Sequence, residues 1–112
     1  MPRIGSIVLN VADLGRASGF WSAALGHTPR PGRPEVLAPA DGRGPLLWLD
    51  EDDRTHLDLW TDSAEEQRAE VERLLGLGAT RVEWGTPEGA DFVVLADPEG
   101  NLFCVIDTAA GG

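Results

Sequence analysis

A strand–cap–helix pattern occurs twice in this chain, fifty positions apart. Ser6 and His56 occupy matching places in two strand-like stretches, and Asp13 and Ser63 stand at matching helix starts. Leu25-Gly26 and Leu77-Gly78 close the two helices. Repeats of this period also build solenoids, but two copies are too few to bury a stacked core. What remains is a pair of strand–helix–hairpin units related by a pseudo-twofold axis. Each would cover one sheet face with its helix and leave the other to wall a shared cleft.

In the first half, residues 4–11 alternate: Ile7, Leu9 and Val11 point one way, Ser6, Val8 and Asn10 the other. That is a strand with one strongly apolar face. Asp13 is placed to cap a helix on which Leu14, Ala17, Phe20, Trp21, Ala24 and Leu25 recur at helical spacing. Gly26 ends it, while Gly15 and Gly19 weaken it, so packing must hold it. Residues 28–45 carry five prolines and three glycines and read as loop, with strands at 35–38 and 46–49. Glu51-Asp52-Asp53 reads as a solvated acidic turn near the midpoint.

The second half follows the same plan. Residues 55–60 put Leu57 and Leu59 on one face and His56, Asp58 and Trp60 on the other. Ser63 with Glu66 three positions on forms a capping box. Ala64, Val71, Leu74 and Leu75 give the helix its apolar stripe, and Gly76 or Gly78 closes it. Strands are expected at 80–84, 91–95 and 102–106, with turn chemistry in Asp97-Pro98-Glu99-Gly100-Asn101 and a frayed end over 109–112.

The bulk numbers exclude several functions. At 112 residues the chain is one domain, and its 42% hydrophobic and 25% charged residues are ordinary globular proportions. Nineteen acids against nine arginines give a net charge of −10, which argues against nucleic acid or an anionic membrane as partner. There is no lysine, so Schiff-base chemistry is excluded. A single cysteine, Cys104, fits a reducing compartment. No apolar leader or membrane span is apparent, and a cytoplasmic location is the expectation.

These residues together resemble the vicinal oxygen chelate superfamily (glyoxalase, bleomycin-resistance and dioxygenase proteins), most of all its short glyoxalase-like branch. The resemblance rests on residues 4–14 followed by Phe20-Trp21 and Leu25-Gly26, on His56-Leu57-Asp58-Leu59 before a capped helix ending Leu77-Gly78-Ala79, and on the closing Asp97-Pro98-Glu99-Gly100-Asn101 turn and strand. It implies an α+β fold of two βαβββ modules, residues 3–50 and 54–108, with curled mixed sheets around a central cavity and helices outside. It also implies a homodimer, since members commonly dimerise.

Metal-dependent members place up to four ligands in the cavity, from the first and last strand of each module. By position those slots are Ser6, Trp48, His56 and Cys104. Serine is a weak ligand, and an indole nitrogen only donates. His56 and Cys104 are below the three protein ligands usual in catalytic zinc. The family's standard metal centre is therefore not expected and no cofactor is required. A divalent metal on His56 and Cys104 remains the alternative.

The leading expectation is a protein that binds a small, aromatic or hydrophobic molecule between Ser6, Asn10, Trp48, His56, Asp58, Trp60 and Cys104. The alternatives are a metal-dependent lyase, isomerase or dioxygenase-type enzyme using His56, and an assembly domain whose cleft is filled by its own tryptophans. His56 and Asp58 are the candidate catalytic groups, with Asp58 orienting the imidazole or meeting a ligand hydroxyl. Cys104 reads as a small core residue, a zinc ligand or a thiol activated by His56. Trp21 reads as core and Trp84 as a strand-end residue near the cavity. His27 reads as a helix-end charge, and Arg30, Arg33 and Arg43 as loop arginines.

Overall fold

Caps and turns set the element boundaries. A computed structural model describes residues 1–83 and 90–109. Its elements in chain order are β1 (Arg3–Asn10), α1 (Leu14–Leu25), β2 (Thr28–Arg30), β3 (Arg33–Ala38), β4 (Leu46–Asp50), β5 (His56–Thr61), α2 (Ala64–Gly76), β6 (Thr80–Arg81), β7 (Phe92–Ala96) and β8 (Leu102–Asp107). The fold is mixed α+β, with the order βαβββ found twice. Contacts divide the chain into a first unit, residues 4–56, and a second, residues 57–112 with 1–3. The cut passes through β5 between His56 and Leu57, and β5 from Leu57 to Thr61 is paired with β8.

In the first unit the strand order is β2-β3-β4-β1. β1 and β4 run parallel, while β3 is antiparallel to both β2 and β4. Asp13 caps α1 by accepting the Arg16 N–H at 2.9 Å, and Gly26 ends the helix at φ 67°, where only glycine is unstrained. The helix lies on β2, β3 and β4, pinned by the Ser18 hydroxyl donating to the Pro34 carbonyl at 3.0 Å. Val36, Leu37 and Leu49 are the most buried apolar side chains of this unit. Each contributes roughly 1.5–3 kcal/mol by leaving water.

The strand β2 was not expected, because Pro29, Pro31 and Gly32 sit in and around it. It forms as an edge strand, where a proline lacking a backbone donor is tolerated. Phe20 departs from expectation as well: it is 62% exposed, held edge-on to Trp21 at 5.1 Å between ring centres. Trp21 is half-buried rather than core.

In the second unit the order is β5-β8-β7-β6, with β5 and β8 parallel and the other pairs antiparallel. The Ser63 hydroxyl accepts the Glu66 N–H at 3.0 Å. Glu66 reaches back one residue further than a standard capping box, to the N–H of Asp62 at 2.8 Å. Val71 packs against Leu95 and Val105, with Leu74, Leu75, Ala79, Val93 and Phe103 around them. The Gln67 amide clamps the helix to the strands by donating to the carbonyls of Asp91 and Val105. Gly78 must be glycine for two reasons: its φ is 116°, and a Cβ there would stand 3.3 Å from Pro98 Cγ. Asp97 accepts the Glu99 and Asn101 N–H groups and the Asn101 amide, and these bonds, the Asn101 side chain first, hold its carboxyl below the usual range.

The strand expected at 80–84 is described only as Thr80–Arg81. Trp84 and residues 110–112 lie outside the described residues.

Candidate functional site

The site follows from strand alternation on β5. His56, Asp58 and Trp60 lie at every second position and so share a face, as the sequence pattern predicts. The opposite face carries Leu59, whose partner Val105 belongs to the core under α2. Thus the histidine, aspartate and tryptophan look away from the helix.

The neighbouring strand completes the group. Asp58 is in register with Cys104, and Cys104 with Val94, so the thiol shares the helix-free face and lies beside the carboxylate. His56 is 8% exposed and Cys104 6%, while Asp58 and Trp60 are half-buried. One ligating atom from each of His56, Asp58 and Cys104 comes within 4.8 Å of the other two. Strands at i, i+2 and one cross-strand step make this triangle naturally, since the spacings are about 7 Å and about 4.8 Å between backbones. The sequence names all three residues but not their convergence, which depends on the β5–β8 register.

The ring of His56 is oriented by its own strand entry. Its Nδ1 lies 2.7 Å from the carbonyl oxygen of Arg54. A carbonyl can only accept, so Nδ1 carries the proton and, in the neutral ring, Nε2 carries the lone pair. This is the arrangement in which imidazoles commonly serve as ligands or bases.

Trp60 extends the same face by one strand step. The Arg3 guanidinium lies 5.8 Å from its ring centre and is also ion-paired with Asp62 at 3.0 Å. A polar cluster and an aromatic surface therefore adjoin.

The first unit's candidates fall differently. Ser6, Val8, Trp48 and Asn10 share one face through the β1–β4 register. Ser6 is 2% exposed. Trp48 is half-buried, and the Arg33 guanidinium covers its ring at 4.7 Å. Asn10 is exposed, and its side-chain amide donates to the carbonyls of Asp50 at 3.2 Å and Asp53 at 2.7 Å. It holds the acidic turn in place. Glu51 in that turn is no idle surface charge: its Oε2 accepts the Leu14 N–H at 2.8 Å and adds a second cap to α1. Neither role has a local sequence signal, because both join residues about forty positions apart. An open groove in this unit is lined by Leu9, Val11, Ala17, Phe20 and Trp21, with Asp13 and Arg16 at its polar end.

A mixed α+β fold with the order βαβββ found twice is what the resemblance implies, and comparison with known proteins agrees. The model of the Glyoxalase-like domain matches residues 6–106, so this chain belongs to that family, within the vicinal oxygen chelate superfamily. Among solved structures it is similar to a glyoxalase/bleomycin resistance protein/dioxygenase superfamily member from Vibrio splendidus 12B01. That match has 17% identity, covers 96% of this chain and 98% of the other, and has a TM-score of 0.60. It is also similar to a structure described as an NAD-dependent benzaldehyde dehydrogenase from Legionella pneumophila, at 14% identity, 91% and 96% coverage and a TM-score of 0.64. At these identities the likeness is one of fold alone. No curated protein matches the chain.

The family's four-ligand metal centre does not fit the residues in its slots. Trp48 has no lone pair to offer, and Ser6 brings only a neutral hydroxyl. His56 and Cys104 fit, and Asp58 supplies a carboxylate the family slots do not include.

Proposed function

We propose that this chain binds a small molecule on the helix-free face of β5 and β8, without the family's four-ligand metal centre. The carrying observation is that His56, Asp58 and Trp60 alternate on one face beside Cys104. A ligand with a flat apolar part rests it on Trp60, whose indole offers a large stacking surface. Its hydroxyl, amine or carbonyl groups meet Asp58 and His56. Asp58 accepts hydrogen bonds when ionised, and the imidazole accepts at Nε2 when neutral. Half-burial of Asp58 and Trp60 supports this, because a ligand needs both a reachable surface and groups worth desolvating. The same pair of groups is suited to proton transfer at a bound oxygen or carbon, with His56 as base.

The test is a fluorescence titration of chelator-treated protein with a panel of flat aromatic hydroxy and amino compounds. The reading predicts saturable quenching by at least one of them. Affinity then falls about tenfold in Trp60→Ala, equal to about 1.4 kcal/mol. Quenching by none of the panel, or quenching that is lost in Trp21→Phe and kept in Trp60→Ala, contradicts it. The second outcome would move the ligand to the groove beside α1.

A further inference from the structure

We infer that the groove beside α1 is a binding site for a small zwitterion, an α-amino acid with an apolar or aromatic side chain. The site lies wholly within residues 9–21 of the first unit, on the helix side of β1. It goes beyond the ligand proposed for the β5–β8 face and shares no residue with that face.

The groove forms because α1 lies on β2, β3 and β4 and leaves the flank of β1 open. Leu9, on the strand face opposite Ser6 and Val8, makes its floor with Val11, and α1 supplies Phe20 and Trp21 as a wall. Its volume is about 470 Å³, within the range of small-molecule pockets. The Phe20 and Trp21 rings stand at 88° to each other with centres 5.1 Å apart. A perpendicular pair offers an incoming apolar group one ring face and one ring edge, the two surfaces that aromatic contacts use. Phe20 is 62% exposed, so a ligand seated there takes out of water an apolar area that the fold itself leaves wet.

The polar end of the groove selects the charge of the ligand. Asp13 and Arg16 both line it, three residues apart, yet they form no ion pair with each other. Asp13 Oδ1 is taken by the backbone N–H of Arg16 at 2.9 Å. Asp13 Oδ2 and the Arg16 guanidinium have no hydrogen-bond or ion-pair partner among the described residues. A simple anion would meet Arg16 but be repelled by Asp13, and a simple cation would suffer the reverse. A molecule with both an ammonium and a carboxylate satisfies both groups. Its carboxylate accepts from the guanidinium, and its ammonium donates to Oδ2. An apolar side chain on the same molecule then lies along Phe20 and Trp21.

The probes are L-phenylalanine, phenylpropionate, which lacks the ammonium, and phenethylamine, which lacks the carboxylate. Binding is followed by the backbone amide NMR shifts of the protein, residue by residue. L-phenylalanine is expected to bind saturably with shifts concentrated in residues 9–21. Both analogues should bind about tenfold more weakly, the size of a lost charge-assisted hydrogen bond. Arg16→Gln should lower the affinity for L-phenylalanine about tenfold and not weaken that for phenethylamine. Asp13→Asn, which keeps a capping side chain, should lower it similarly and not weaken that for phenylpropionate. Phe20→Ala should weaken all three. No saturable shift in residues 9–21, equal affinity for the three probes, or L-phenylalanine binding unchanged in both charge variants would overturn the inference. Shifts in these residues that change on dilution without a probe would also overturn it, since a second copy would then occupy the groove. The comparison of probes needs no variant, so it decides even if a substitution unfolds the chain. L-phenylalanine shifting only residues 57–60 and 103–105 would refute the groove and leave the β5–β8 reading standing, so the two sites fail separately.

Discussion

The two units share one order of elements and use it differently. In the second, α2 carries Glu65 and Glu66 in its first turn and Arg73 in its last, matching the helix dipole at both ends. In the first, α1 has no acid in its first turn and no base in its last, contains Gly15 and Gly19, and leaves Phe20 largely exposed. The helix-free faces differ in the same direction. The second presents Asp58, Cys104 and Trp60, while the first presents Ser6, Val8 and a Trp48 already covered by Arg33. The order of elements thus recurs, while the side chains on the helix-free faces differ.

The largest expected effect tests whether the second unit's core is independent of its polar face. Leu95 is fully buried under α2, and Leu95→Ala should cost about 2–5 kcal/mol in urea unfolding. Asp58→Asn, on the other face, should cost far less. A comparable loss from both would mean that the cluster is structural and would break the comparison.

Next comes Gly78. A side chain there meets both a positive φ and the Pro98 ring, so Gly78→Ala should destabilise by about 1–3 kcal/mol in the same assay. Gly26 has the positive φ but no neighbour within 4 Å, so Gly26→Ala should cost less. Equal losses would show that the close approach to Pro98 adds nothing.

The caps give smaller, paired effects. Ser63→Ala should lower stability by about 1 kcal/mol, and Asp13→Ala by a similar amount. Glu51→Ala should add a further loss to Asp13→Ala, because the two carboxylates satisfy different N–H groups, Leu14 and Arg16. Full overlap of the two losses in a double-mutant cycle would remove the account of a doubly capped α1.

The smallest effect is a pH dependence in the second unit. The Arg73 guanidinium, bonded to Glu70 at 2.6 Å, holds that carboxyl below its ordinary value against the opposing effect of desolvation, with the N-terminal ammonium adding to it. A depressed folded value means that Glu70 stabilises above the ordinary value of 4.5, and that this stability is lost as pH falls through the lower folded value. The Tm difference between the parent protein and Glu70→Gln should be constant near neutrality and shrink on acidification below about pH 4.5. A difference that grows in acid would contradict the assignment.

What the sequence made legible was local or periodic. The Asp13 and Ser63 caps, the end at Gly26, the Asp97 turn and the alternation of His56, Asp58 and Trp60 were all readable within a few residues. Two kinds of feature were not. Register across forty-six positions sets Cys104 beside Asp58, and no short-range signal encodes it. Capping by Glu51 and anchoring by Asn10 likewise depend on the tertiary path of the chain. The strand β2 was hidden for another reason, since proline and glycine read as loop unless the strand is known to be an edge. Asp58 shows what this cost the site reading: without the register it counted as a partner for His56 or for a ligand hydroxyl, and with it the carboxylate is seen to stand beside Cys104 as well.

The central claim is that the working chemistry of this chain lies on the helix-free face of β5 and β8. Fluorescence titration of the chelator-treated protein with flat aromatic hydroxy and amino compounds tests it most directly. The account predicts saturable quenching by at least one compound, with affinity about tenfold lower in Trp60→Ala. Quenching by none of the panel, or quenching lost in Trp21→Phe and kept in Trp60→Ala, would contradict it.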